Sequence, residues 1–171
     1  GWPPPALPPP SSSSSLSDSS SSSFSSLSLP EPLALRDVVP EDRRRAYDWV
    51  RAEIGRGRRA FHVVDENSRT RAAADALAHG DPATAGRLMN ESHASLRDLY
   101  EVSCEELDLM AVLAQSQPSC WGARMTGAGF GGCVVALVER DEQASFAETM
   151  ATLYERQTRR TPALYVCQSS A

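Results

Sequence analysis

Between Thr126 and Cys133 the chain reads GAGFGG. Glycine has no Cβ, takes positive φ without steric cost and lets backbone amides face an anion at close range. Gly127, Gly129 and Gly132 satisfy G-x-G-x-x-G, a spacing shared by several phosphate-binding loops and by ordinary hairpins. A dinucleotide fingerprint needs a helix directly after the loop, aimed at the pyrophosphate; CVVALVE after Gly132 is a poor helix and a good strand. With Val134 the spacing extends to the G-x-G-x-x-G-x-V of protein kinases, which need a lysine on the next strand and an H-R-D loop. All seventeen basic residues here are arginine, and H-R-D is absent. The missing lysine also excludes a Walker A loop and Schiff-base chemistry. Two readings stay open from the loop alone: an anion-facing turn, or a tight hairpin that uses glycine for geometry.

Other polar side chains are placed to support such a loop. Arg124 and Thr126 immediately precede it and could set a charge or a hydroxyl beside it. Ser92, His93 and Arg97 fall on one helical face; a histidine and an arginine there serve either a substrate or a local partner such as Asp98. His62 and Glu66, four residues apart, read as a surface pair, and Trp121 as a core residue with an option on a cleft. Cys104, Cys120, Cys133 and Cys167 have no C-x-x-C spacing and no histidines at ligand intervals, so neither a zinc site nor a disulfide framework is expected, and the thiols read as buried. A net charge of -5 gives no basic surplus for nucleic acid. No apolar run approaches the roughly 18 residues of a membrane span.

The elements that must position these residues follow from periodicity. Residues 58–79 have Phe61, Val64, Ser68, Ala72 and Ala76 at helical steps, with Gly80 as a stop. Asp81 caps a second helix with Pro82 at its first position and a stripe of Ala85, Leu88, Met89, Ser92, Leu96 and Leu99. A third begins at Ser103, with Glu106 at capping-box spacing, and runs through Leu107, Met110 and Leu113 to about Gln115. Residues 121–126 and 133–139 read as strands, the second of them buried. Asp141 is placed to cap a fourth helix carrying Phe146, Ala147, Met150, Leu153 and Tyr154 inward, and 163–167 reads as a last strand. The predicted order is α-α-α-β-β-α-β, an α+β fold with helices packed on a small, mostly antiparallel sheet.

Upstream the composition changes. Nine of twelve prolines lie in the first forty residues and fourteen of the eighteen residues from Ser11 to Ser28 are serine, too little apolar surface to offset ordering entropy. Residues 1–40 are therefore expected to be a disordered low-complexity leader and 41–171 the folding unit, with Arg43 to Arg45 as a solvated helix start. The leader lacks the features of a secretory or transit peptide, so a cytoplasmic location is expected.

Four stretches, RRAFHVVDENSRTRAAADAL, GRLMNESHASLRDLYEVSCEELD, GARMTGAGFGGCVVALV and ALYVCQ, resemble successive C-terminal segments of galactokinases, in order and at similar intervals over about two thirds of the chain. Galactokinases are GHMP small-molecule kinases, and GARMTGAGFGGC resembles the third motif of that family. The resemblance implies a GHMP kinase C-terminal-like domain, with galactose and ATP as ligands, Mg2+ as the metal and galactose 1-phosphate as product. It points to Gly127, Gly129, Gly131 and Gly132 as a loop against the nucleotide phosphates or the reaction centre of the complete enzyme, with Arg124, Thr126, Ser92, His93 and Arg97 as candidate supporting residues. Ala128 departs from the glycine more usual in the family, and Glu105 from a proline. The family's G-R-x-N-L-x-G-E-H-x-D-Y and G-L-S-S-S-A-type motifs, with the catalytic aspartate and arginine, have no match in residues 1–57; the serine run is only superficially similar to the second. No catalytic residue and no metal ligand is thus assigned here, and the polypeptide alone is expected to be inactive. A GHMP kinase for another sugar, mevalonate or homoserine, a non-catalytic galactose sensor and a truncated relative are the alternatives.

Overall fold

The computed structural model describes residues 43–49 and 57–167. The expected leader, residues 1–40, and the boundary at residue 41 lie outside them. Five α-helices and one antiparallel strand pair are described: α1 Arg43–Trp49, α2 Arg58–Ala78, α3 Pro82–Ser95, α4 Glu105–Gln115, β1 Cys120–Thr126, β2 Cys133–Val138 and α5 Gln143–Thr158. A π-helical turn, Leu96–Tyr100, prolongs α3, and a 3-10 turn, Arg140–Glu142, leads into α5. The helix begun by the arginine run is α1; Tyr47 on it stacks on Phe61 of α2 with ring centroids 4.9 Å apart.

β1 pairs with β2 from Cys120 opposite Val138 to Thr126 opposite Cys133. The other edge of β1 is covered by a helix. Ala123 N–H donates to Asn90 Oδ1 (2.8 Å) and Met125 N–H to His93 Nδ1 (3.2 Å), both on α3, while Ala123 O accepts from Gln115 Nε2 of α4 (2.8 Å). Such an edge would otherwise present unpaired amides and carbonyls. Gly86, Asn90 and His93 share one face of α3 at steps of four and three. Gly86 allows the approach, because a Cβ there would lie 2.1 Å from Trp121 O and 2.8 Å from Gly122 N.

Ala123 packs with Leu113, Ala114, Met150 and Tyr154, and Met125 with Leu96 and Leu107. β1 is thereby the spine of the domain, with α4 and α5 packed on it. Asp81 caps α3 as expected, its carboxylate accepting from Thr84 N–H at 3.0 Å.

Several expectations are corrected. In α2 the buried residues are Ala60, His62, Val64 and Ala76; Ala72 is exposed. Residues 96–99 belong to the π turn rather than to α3. Ser103 does not cap α4: its hydroxyl donates to Asp108 Oδ1, and the helix starts after Cys104 with no side-chain cap. Asp141 lies inside the 3-10 turn, so α5 starts after Glu142 instead. Trp121 sits at a register shift between Cys120 and Gly122, which turns it outward, 37% exposed. β2 is only half covered: Val135, opposite Arg124 on the same face, is exposed. None of the four free thiols is fully buried; Cys133 and Cys167 are exposed. Residues 163–167 form no strand, and Leu164, Tyr165 and Val166 face solvent. β-propensity without a paired neighbour does not make a strand. Among the described residues no helix is long and apolar enough to cross a membrane.

Candidate functional site

All four glycines of the loop have positive φ: 85° at Gly127, 84° at Gly129, 129° at Gly131 and 103° at Gly132. Ala128 is not among the residues with positive φ, so its methyl group meets no backbone penalty. Phe130 does take a left-handed conformation, φ 57°, and the residue is 75% exposed. A non-glycine residue there costs of the order of 1 kcal/mol and needs an anchor. The anchor is Val102, whose carbonyl accepts Phe130 N–H at 2.8 Å. Gly129 presses on the same carbonyl, since a Cβ at that position would lie 2.2 Å from Val102 O. At Gly127 and Gly131 an added Cβ would meet nothing within 4 Å. The loop is therefore gripped on one side and open on the other.

Behind the loop, Arg124 and Ser92 meet on one carboxylate. Glu66 Oε1 accepts from Ser92 Oγ and, at 3.0 Å, from Arg124 Nη1, while Arg69 engages Oε2. Arg124 also donates through Nε to its neighbour's carbonyl, Met125 O, at 3.0 Å. This arginine is thus engaged in tying β1 to α2. Thr126 is exposed at the end of β1, opposite Cys133.

His93 is buried, with Nδ1 on the Met125 amide and Nε2 3.3 Å from Asp108 Oδ1. Because Nδ1 accepts, the proton of the neutral ring sits on Nε2 and faces Asp108, in a close contact short of hydrogen-bond alignment. Burial pushes the His93 pKa down against the opposing pull of Asp108, so the ring is neutral at pH 7. Arg97 is held at the surface by Asp98, Nε to Oδ1 at 2.7 Å and Nη2 to Oδ2 at 2.9 Å. That hydrogen bond, first among the causes, raises the Arg97 pKa and lowers that of Asp98.

The structure brings Ser92 and Arg124 together on Glu66, sets His93 beneath β1 and pairs Arg97 with its neighbour. His62 is no surface partner of Glu66: it is buried, Nδ1 lies 2.8 Å from Ser95 Oγ, and the ring packs on Tyr100. Sequence reasoning missed Glu66 as a hub, Asn90 and Asp108 as partners, and Val102 as the carbonyl under the loop. The steps from Gly86 to Asn90 to His93 were the available signal for the first contact face; nothing local in sequence marks Val102.

Residues 73–156 match the family described as GHMP kinases C terminal. The galactokinase of Roseiflexus sp. (strain RS-1) is 52% identical over 137 residues, covering 80% of this chain and 34% of that protein. That of Bos taurus is 46% identical over 137 residues, with 80% and 33% covered. This chain carries a GHMP-kinase C-terminal domain of the galactokinase type. The solved Lactococcus lactis galactokinase, complexed with galactose, superposes with a TM-score of 0.65 at 41% identity, covering 75% of this chain and 33% of that one. The chain spans about a third of the length of the galactokinases it matches. The glycine loop and its Val102 support lie within the matched segment, whereas the Glu66 hub lies before its start at residue 73.

Proposed function

We propose that residues 58–167 serve ATP-dependent phosphorylation of galactose as the C-terminal portion of a galactokinase, in the cytoplasm, with the open side of the Gly127–Gly132 loop against the nucleotide phosphates. The observation that supports this most is the loop itself: four positive-φ glycines, pinned through Phe130 N–H and Gly129 to Val102 O, with clear space beside Gly127 and Gly131. Backbone amides held this way suit a polyphosphate, since they stabilise charge without having to reorganise. The glycines position; they carry no proton.

The chemistry of phosphoryl transfer draws on several loops at once. The galactokinase motifs expected to supply the base and the charge-stabilising arginine have no counterpart in residues 1–57. Among the described residues no group of three His, Cys, Asp or Glu side chains is disposed to hold a metal ion, and Glu66 and Asp108 are already engaged by arginine, serine and histidine. No metal ligand is therefore assigned among the described residues, and no step is assigned to the ion.

The test is an NMR titration of the 15N-labelled chain with ATP. Amide shifts concentrated at 127–132 and at Val102 are expected. Shifts absent from the loop at saturating nucleotide, or centred elsewhere, would contradict the phosphate-facing assignment.

A further inference from the structure

His93 is 2% exposed and reaches two separate segments with its two ring nitrogens. Nδ1 accepts from Met125 N–H, two residues before Gly127 opens the loop. Nε2 lies 3.3 Å from Asp108 Oδ1, and that same oxygen accepts from Ser103 Oγ at 2.5 Å. Ser103 directly follows Val102, the residue whose carbonyl holds Phe130 N–H and abuts Gly129. One imidazole therefore bonds the strand that delivers the loop and, by way of Asp108 and Ser103, adjoins the segment that forms the ledge beneath its middle.

We propose that His93 is a positioning residue for the glycine loop, keeping the end of β1 and the Val102 ledge in register through its two ring nitrogens. Its functional sense rests on reading that loop as the phosphate-facing one. A neutral imidazole suits this position because it accepts from Met125 N–H on one edge and turns its remaining N–H toward the Asp108 carboxylate, 3.3 Å away, on the other. An apolar residue of similar size would leave the Met125 amide buried without a partner. The charged groups around the ring are Asp108 from α4, Arg97 from the π turn and Arg124 from β1; Arg97 and Arg124 are themselves paired with Asp98 and Glu66, which leaves Asp108 to orient the Nε2 proton.

Two substitutions separate the links. In His93→Asn the side-chain oxygen can replace Nδ1 toward Met125, but the side chain is too short for Asp108. In His93→Gln the terminal amide can replace Nε2 toward Asp108 and gives up the acceptor for Met125. Amide exchange is read by NMR on the 171-residue chain without nucleotide, with Ala123 N–H, bonded to Asn90, as the internal reference. We expect His93→Asn to speed exchange at Phe130 about tenfold over Ala123 and to spare Met125, and His93→Gln to do the reverse, about the effect of one lost hydrogen bond on local opening. Asp108→Ala should reproduce the His93→Asn pattern. Exchange at Phe130 and Met125 that moves only in parallel with Ala123 in every variant would overturn the proposal, as expected of a residue that merely stabilises the fold. If the His93 variants do not fold, Asp108→Ala and Ser103→Ala decide: faster exchange at Phe130 supports the coupling, and unchanged exchange overturns it. Absence of ATP-induced shifts at the loop would remove the phosphate reading and with it the functional sense of the proposal, whereas parallel exchange alongside normal ATP shifts would overturn this proposal and leave that reading intact.

Discussion

Gly129 is under two constraints at once, a φ of 84° and a carbonyl where a Cβ would have to sit. Gly129→Ala is expected to destabilise the domain by about 1–3 kcal/mol and to displace the loop from Val102, read as a lowered urea midpoint together with loss of Phe130 amide protection. The sequence displayed the glycines, but which of them meets another backbone depends on a contact 27 residues away. Histidines illustrate the same limit: His62 and His93 are polar by type and buried by position, because their partners Ser95, Met125 and Asp108 come from other segments. Both have pKa values pushed below the ordinary 6.5, burial being the first cause in each, with Glu66, Asp65, Arg69 and Arg124 also acting on His62 and Asp108, Arg97 and Arg124 on His93. The folded state then binds fewer protons than the unfolded one, so stability is full above pH 6.5 and falls as the pH drops from there toward the depressed folded values. The lowered carboxyls of Asp98, Asp81 and Glu106 act at lower pH, below their ordinary 3.8 to 4.5. A thermal melt series from pH 7.5 to 5 should therefore show a decline that is smaller in a His62→Gln variant; a flat profile over that range would contradict the neutral buried rings.

At the scale of elements, helix α3 stands where a further strand would pair with β1. Its contact face of Gly86, Asn90 and His93 contains no large apolar residue, which is why the stripe read from Ala85, Leu88 and Leu96 located the core and missed the strand contact. Gly86→Ala makes the distinction measurable. In a free helix the substitution would stabilise by up to about 1 kcal/mol. Here the new methyl would lie 2.1 Å from a backbone oxygen, and overpacking against main chain costs typically 1–3 kcal/mol. Net destabilisation is expected, with faster exchange at the Ala123 and Met125 amides; a more stable variant would refute the close α3–β1 crossing. The hairpin and the helix order were legible because hydrophobic periodicity encodes them locally. The cap of α4, the entry to α5 and the final segment were not, because Ser103, Asp141 and residues 163–167 depend on neighbours: Asp108 claims the Ser103 hydroxyl, the 3-10 turn absorbs Asp141, and 163–167 has no described strand to pair with.

Across the whole molecule, the apolar surface at Phe130, Val135, Leu164, Tyr165 and Val166 is exposed while the chain accounts for about a third of the galactokinases it matches. Under the proposed function, this apolar surface and the unmatched sugar-binding and phosphate-loop motifs bear on what the 171-residue chain can do by itself. In a coupled ADP-release assay the 171-residue chain alone is expected to show no galactose-dependent turnover. The most direct measurement replaces the corresponding C-terminal third of the Lactococcus lactis galactokinase with residues 58–167 of this chain and assays the chimera with galactose and ATP. Galactose-dependent ADP release, reduced at least about tenfold by Gly129→Ala as expected for a loop that stabilises transition-state charge, is the result this account predicts. A soluble, cooperatively folded chimera that binds galactose yet shows no turnover beside an active parent enzyme would contradict it.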